Sequence, residues 1–160
     1  MQLCRGIEEG MEICNSSMQL TRGADYAVRV LVHMAGLEEH RRISLSALSR
    51  ATAAPNSFLS KVLQALGRAG MIVSHRGQGG GFEITASGRG ASVRDVIEAI
   101  DGPIHLNVCL DPARTCTRKS WCPAHPVWDR AQRAMLAELE AANVAEMSAC
   151  PVFVQVERAS

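Results

Sequence analysis

Residues 54–85, APNSFLSKVLQALGRAGMIVSHRGQGGGFEIT, change their apolar period once, and that change decides the fold. In the first half, Phe58, Leu59, Val62, Leu63 and Leu66 recur three and four residues apart, the stripe of an amphipathic helix. Pro55 suits the first turn of that helix and Gly70 its C′ position. From Met71 the pattern becomes that of strands. Met71–Ser74 and Phe82–Thr85 are β-competent runs joined by a glycine-rich turn, which predicts a hairpin.

Upstream, LSALSRAT (45–52) reads as a short helix with Ser44 as N-cap, and with its successor it forms a helix-turn-helix. A helix is expected over 19–36, with Leu20, Ala24, Ala27, Leu31 and Met34 on one stripe and Tyr26 and Val30 alongside. Downstream, SVRDVIEAI opens with a capping box, Ser92 with Asp95, and closes at Gly102. Residues 103–123 show no period. One long helix is expected over 124–147, with Trp128, Ala131, Met135, Leu139 and Ala142 as its stripe. The expected organisation is a winged helix-turn-helix domain at 18–102, a cysteine loop at 103–123, a dimerisation helix at 124–147 and a tail at 148–160. The class is mainly α with a small β-hairpin wing.

A chain of 160 residues, 47% apolar and 21% charged, suits one globular domain and excludes a disordered chain or a multi-domain enzyme. No apolar run is long enough to span a bilayer. The first 17 residues carry Glu8, Glu9 and Glu12 and no apolar core, so no signal peptide is read and a cytoplasmic location is expected. The net charge of +1 conceals a division. Residues 18–94 carry nine arginines and Lys61 against Asp25, Glu38, Glu39 and Glu83, whereas both flanking segments are net acidic. Between Arg41 and Arg94 the sole acid is Glu83. Such a block suits a polyanion.

The second helix of a helix-turn-helix enters the major groove with its N-terminal residues near base edges. Here those are Asn56, Ser57, Ser60, Lys61 and Gln64, all able to meet bases or phosphates. In the wing, Arg76 precedes Gly77-Gln78-Gly79-Gly80-Gly81. Arg76, Gln78 and Gly79 are therefore candidates for a narrow minor groove. A phosphate-binding loop is excluded, because no Gly-Lys-Ser/Thr follows and the next element is a strand.

The pattern Cys109-x6-Cys116-x5-Cys122-Pro-Ala-His125 places three thiols on one loop, where iron–sulfur clusters and zinc both find suitable ligands. The absence of Cys-x2-Cys knuckles disfavours a zinc ribbon. Arg114, Arg118 and Lys119 lie between the thiols and could lower their pKa or offset an anionic cluster. Thiols acting without metal are the alternative. An enzyme would need an acid or base beside the cysteines and a substrate pocket, and the sequence suggests neither.

The segments MQLTRGADYAV (18–28), APNSFLSKVLQALGRAGMI (54–72), SHRGQGGGF (74–82), SVRDVIEAIDG (92–102) and the cysteine loop resemble, in order and spacing, the Rrf-type family of winged-helix transcription regulators, in particular its IscR- and NsrR-like iron–sulfur branches. The resemblance spans roughly 18–147. It implies a homodimer joined through the long C-terminal helix, which binds a palindromic operator on double-stranded DNA and acts as a repressor. It also implies control by a 2Fe–2S or 4Fe–4S cluster held by Cys109, Cys116 and Cys122 that senses redox state, nitric oxide or iron–sulfur status.

The family divides over the fourth ligand, and this sequence holds both options. His125 stands where one branch has histidine; Asp25 matches the aspartate that the other recruits from the partner subunit. A ligand from the partner would couple cluster state to dimer geometry, which favours Asp25. No membrane and no small-molecule substrate is implied. Ser60-Lys61 departs from the Glu-Gln of one branch, so operator preference does not transfer. The 1–17 extension falls outside the pattern and reads as disordered or as an upstream mis-assigned start. His33, His75 and His105 are expected to be surface or packing residues. The alternative function is a cluster-free thiol-redox or constitutive DNA-binding regulator of the same fold.

Overall fold

A computed structural model describes residues 20–150. The 1–17 extension with Cys4 and Cys14, and the tail beyond Cys150, lie outside these residues. Helix α1 (Arg22–Ala35) starts later than its stripe suggests. Thr21 is extended and its Oγ1 accepts from Ala24 N at 3.2 Å, which ends the N-terminal side of the helix. Leu20 therefore leaves the expected stripe and is 55% exposed.

Helices α2 (Leu45–Thr52) and α3 (Asn56–Arg68) follow, separated by a turn in which Ala53 adopts φ +53°. Ser44 caps α2 as expected, accepting from Ala47 N. The core forms where α1 crosses this pair: Val30, Leu31 and Met34 meet Leu48, Leu59 and Leu66, all essentially inaccessible to water. Burying each such side chain contributes ~1.5–3 kcal/mol. Phe58, expected on the buried stripe, instead lies at the edge of the core and meets Tyr26 edge-on, ring centroids 5.5 Å apart.

The wing consists of β1 (Ile72–His75) and β2 (Gly81–Ile84), antiparallel, with Ile72 opposite Ile84 and His75 opposite Gly81. Both strands sit one residue from the expected runs. Thr85 leaves the strand because its hydroxyl accepts from Gly88 N at 3.0 Å and donates to the Gly70 carbonyl at 2.7 Å. That cap starts α4 (Ala86–Arg89), a short helix between the wing and α5. Ile43 adds a third, single-residue partner to β2, exchanging two 2.9 Å backbone hydrogen bonds with Phe82. Gly81 permits this approach: a Cβ there would lie 2.7 Å from the Ile43 carbonyl oxygen.

Helix α5 (Val93–Asp101) carries the expected capping box and packs on α1. The single helix expected over 124–147 is two helices, α6 (His125–Ala141) and α7 (Val144–Ser148). Val93 N donates to the Ala142 carbonyl at 2.8 Å and Val144 N to the Ala91 carbonyl at 3.0 Å, so the chain between the helices pairs with the start of α5. Asn143 makes this break, since its side chain accepts from Ala145 N and caps α7. Val144 of α7 enters the core, whereas no residue of α6 is buried. Among the described residues no helix is long and apolar enough to cross a membrane.

Candidate nucleic-acid interface and cysteine loop

Asn56, Ser57, Ser60, Lys61 and Gln64 fall within one arc of α3, opposite the arc that buries Leu59, Val62, Leu63 and Leu66. All five are exposed except half-buried Ser60, whose hydroxyl donates to the Asn56 carbonyl at 2.9 Å. Asn56, Ser57, Lys61 and Gln64 make no side-chain hydrogen bond or ion pair with another described residue. Their polar groups face water, ready to exchange it for another polar surface.

At the wing tip Arg76 and Gln78 are exposed and likewise unpaired among the described residues. Five residues, 76–80, make the turn: Gly77 and Gly79 take the positive φ of +93° and +75° that glycine tolerates, and a Cβ at Gly80 would collide with the His75 carbonyl oxygen. The expected surface thus has two parts, an uncommitted polar arc on α3 and a cationic hairpin tip. Sequence reading missed the wing's own charge arrangement. His40 Nδ1 and His75 Nε2 each lie 2.9 Å from the Glu83 carboxylate, and Arg42 Nε lies 3.8 Å from it. His75 is expected from sequence as a surface or packing residue; the alternation of strand residues, with Val73 opposite Glu83, is the signal that places it on the same face as Glu83.

The cysteine loop leaves α5 at Gly102 and runs through a three-residue 3-10 turn, Val108–Leu110, to α6. Cys109 in that turn is buried; Cys116 and Cys122 are half-buried. Turns hold the loop: Lys119 N donates to the Cys116 carbonyl, Trp121 N to Arg118 and His125 N to Cys122, each at 3.2 Å. A strap connects it to α6, where Gln132 Oε1 accepts from Leu106 N at 2.8 Å. His125 lies in the first turn of α6, and its Nδ1, like that of His105, is buried with no hydrogen-bond partner among the described residues.

As donors, three thiols with a neighbouring imidazole suit an iron–sulfur cluster. The described residues of one chain do not gather three Cys, His, Asp or Glu side chains into a single metal-holding group. Asp25, the other candidate ligand, lies in the first turn of α1. Both its oxygens are taken by Arg29, at 3.1 Å from Nε and 2.9 Å from Nη2.

Residues 20–149, which span the helices, the hairpin and the cysteine loop, match the family model Rrf2, described as an iron-dependent transcriptional regulator. The chain belongs to the Rrf2 family. Its members are transcription regulators and not enzymes. The fold is shared with Staphylococcus aureus CymR in its oxidized form, 21% identical, TM-score 0.65, over 83% of this chain and 98% of that one. It is shared too with T. potens IscR, 20% identical, TM-score 0.62, over 82% and 86%. A third similar structure is B. subtilis CymR, described as the global cysteine regulator, 17% identical, TM-score 0.59, over 82% and 97%.

Proposed function

We propose that this Rrf2 regulator is a homodimeric, cytoplasmic repressor that reads a palindromic operator with α3 in the major groove and Arg76, Gln78 and Gly79 in the minor groove. The observation that carries the reading is the unpaired polar arc of Asn56, Ser57, Lys61 and Gln64 beside a basic wing. Helix α6 supplies the dimer contact: Trp128 and Val127 are 38% and 49% exposed, and the helix has no buried residue in one chain. Selection from a random duplex pool tests this. The expected product is an inverted repeat with half-sites about 10 base pairs, or a multiple, apart. Enrichment of single, unpaired sites would contradict it.

Cys109, Cys116 and Cys122 hold an iron–sulfur cluster, which supplies a redox- and nitric-oxide-reactive centre when bound. The donor chemistry supports this, and so does the orphaned Nδ1 of His125, which favours that residue over the Arg29-paired Asp25 as fourth ligand. Gathering the three sulfurs requires residues 109–122 to rearrange. The strap from Leu106 to Gln132 would pass such a movement to α6, and so to the distance between two recognition helices. Anaerobic native mass spectrometry of the protein and of its Cys109→Ala, Asp25→Ala and His125→Ala variants checks the assignment. The expected result is a cluster mass in the protein, lost in Cys109→Ala and labile in His125→Ala.

A second reading is a switch by cysteine oxidation without metal, supported by the free, partly accessible thiols of Cys116 and Cys122 on one loop with Arg118 and Lys119 between them. It predicts an iron-free protein after anaerobic reconstitution whose DNA affinity still responds to oxidant.

A further inference from the structure

The basic stretch from Arg41 to Arg94 contains one carboxylate, Glu83, and it stands in the wing. On a surface meant to meet phosphates, a negative charge opposes binding unless it serves another purpose. The Glu83 side chain is 18% exposed and gathers three basic groups. His40 Nδ1 is hydrogen-bonded to Oε1 at 2.9 Å; His75 Nε2, 2.9 Å from Oε2, is a charge contact without hydrogen-bond alignment, and Arg42 Nε lies 3.8 Å from Oε2.

These partners come from two segments. His75 shares the outer face of the hairpin with Glu83, whereas His40 and Arg42 belong to the connection between α1 and α2. His40 reaches the carboxylate from a left-handed backbone, φ +59°, which non-glycine residues seldom adopt. Arg76, the cation of the wing tip, directly follows His75. The Glu83 carboxyl is held below the usual carboxylate range, first by the His40 hydrogen bond, against burial and with help from the charge of His75. The remaining charged groups nearby are Glu38, Glu39 and Arg41 on the same connection, and Arg89 of α4. Glu39 and Arg89 line the cavity, of about 330 Å³, that the cluster borders. Arg89 is engaged elsewhere, its Nη1 donating to the Ala35 carbonyl.

We propose that Glu83 is a positioning residue for the wing: by gathering His40, Arg42 and His75 it fixes the hairpin to the α1–α2 connection and aims Arg76 at the duplex, with a hold that strengthens as the two imidazoles gain protons. The proposal rests on the reading of the wing as a DNA contact.

The test is a fluorescence-anisotropy titration of the selected operator duplex at fixed salt between pH 8 and 6, the range in which an imidazole ordinarily gains its proton. Wild-type protein is compared with Glu83→Gln, His40→Gln and Arg76→Ala. Glu83→Gln is expected to weaken operator binding roughly fivefold at pH 6, the scale of one exposed ion pair, and to flatten the pH profile. If Glu83 were only a repelling charge, its neutralisation would tighten binding at every pH, and that result overturns the proposal. His40, with its side chain 87% exposed, can be replaced without disturbing the core. His40→Gln should bind as wild type at pH 8 and lose part of the rise toward pH 6; a wild-type profile overturns the clasp even if Glu83→Gln does not fold. Unchanged affinity in Arg76→Ala would sink the wing contact itself, whereas weakened Arg76→Ala beside tightened Glu83→Gln would sink only the clasp.

Discussion

The side-chain amide of Asn143 donates to the Gly90 carbonyl at 3.1 Å, across the point where α6 ends and the chain returns to the core through α7. The same side chain caps α7 through its oxygen, accepting from Ala145 N at 2.8 Å. Asn143 therefore fixes the angle at which α6 departs. Asn143→Asp keeps the capping oxygen and loses the donor; Asn143→Ala loses both. Thermal melts should show Asn143→Ala destabilised by ~1 kcal/mol and Asn143→Asp by less. Both should lower the ratio of affinity for a two-half-site duplex over a single half-site.

Lys61 and Gln64 divide the labour expected of α3. Loss of a phosphate contact lowers the salt slope of log K by about 1, while loss of a base contact leaves that slope and relaxes sequence preference. Lys61→Ala should reduce the slope, and Gln64→Ala should cost ~1–3 kcal/mol of discrimination at one base pair. Titrations over a range of salt concentrations with operator and scrambled duplexes separate the two.

The α5 capping box makes part of the stability depend on acid. The Asp95 carboxyl sits below its ordinary range, held first by the Ser92 hydroxyl at 2.7 Å and then by the Ser92 backbone N–H at 2.9 Å. Its contribution is complete above the unfolded carboxylate value and disappears as pH falls through the lower folded value. Asp95→Asn should melt earlier at pH 7 and lose less between pH 5 and 3 than the parent. Ser92→Ala should cost ~1 kcal/mol at neutral pH.

Gly81→Ala tests the third strand partner. The added Cβ would lie 2.7 Å from the Ile43 carbonyl oxygen, so the Ile43–Phe82 bridge must open. A destabilisation of ~1–3 kcal/mol is expected from strain and lost packing. Amide exchange should accelerate at Ile43 and Phe82 before it does at Leu59 or Leu66.

Most of the fold was legible because its signals are local. The stripe from Leu59 to Leu66, Ser44 as a cap and the Ser92–Asp95 box each depend on neighbours within one or two helical turns. The break at Asn143 was hidden, because the apolar spacing runs through it without interruption. Only pairing of Ala142 and Val144 with the α5 start, some fifty residues back, makes the cap win. Leu20 and Phe58 misled for a related reason: spacing says which side a residue faces, not where the neighbouring element stops. At the site, the α3 arc followed from helical period, while His40, Arg42, His75 and Glu83 meet through a hairpin register that composition cannot supply.

The chain has two tryptophans, and both lie C-terminal to α5: Trp121, 69% exposed in the cysteine loop, and Trp128, 38% exposed on α6. The helix-turn-helix and wing have none, and Tyr26 of α1 is the single tyrosine. Indole emission is therefore an intrinsic optical report confined to the loop and its helix. A quench or blue shift during dilution, oxidation or iron loading would time events there without a label, while the helix-turn-helix and wing stay dark.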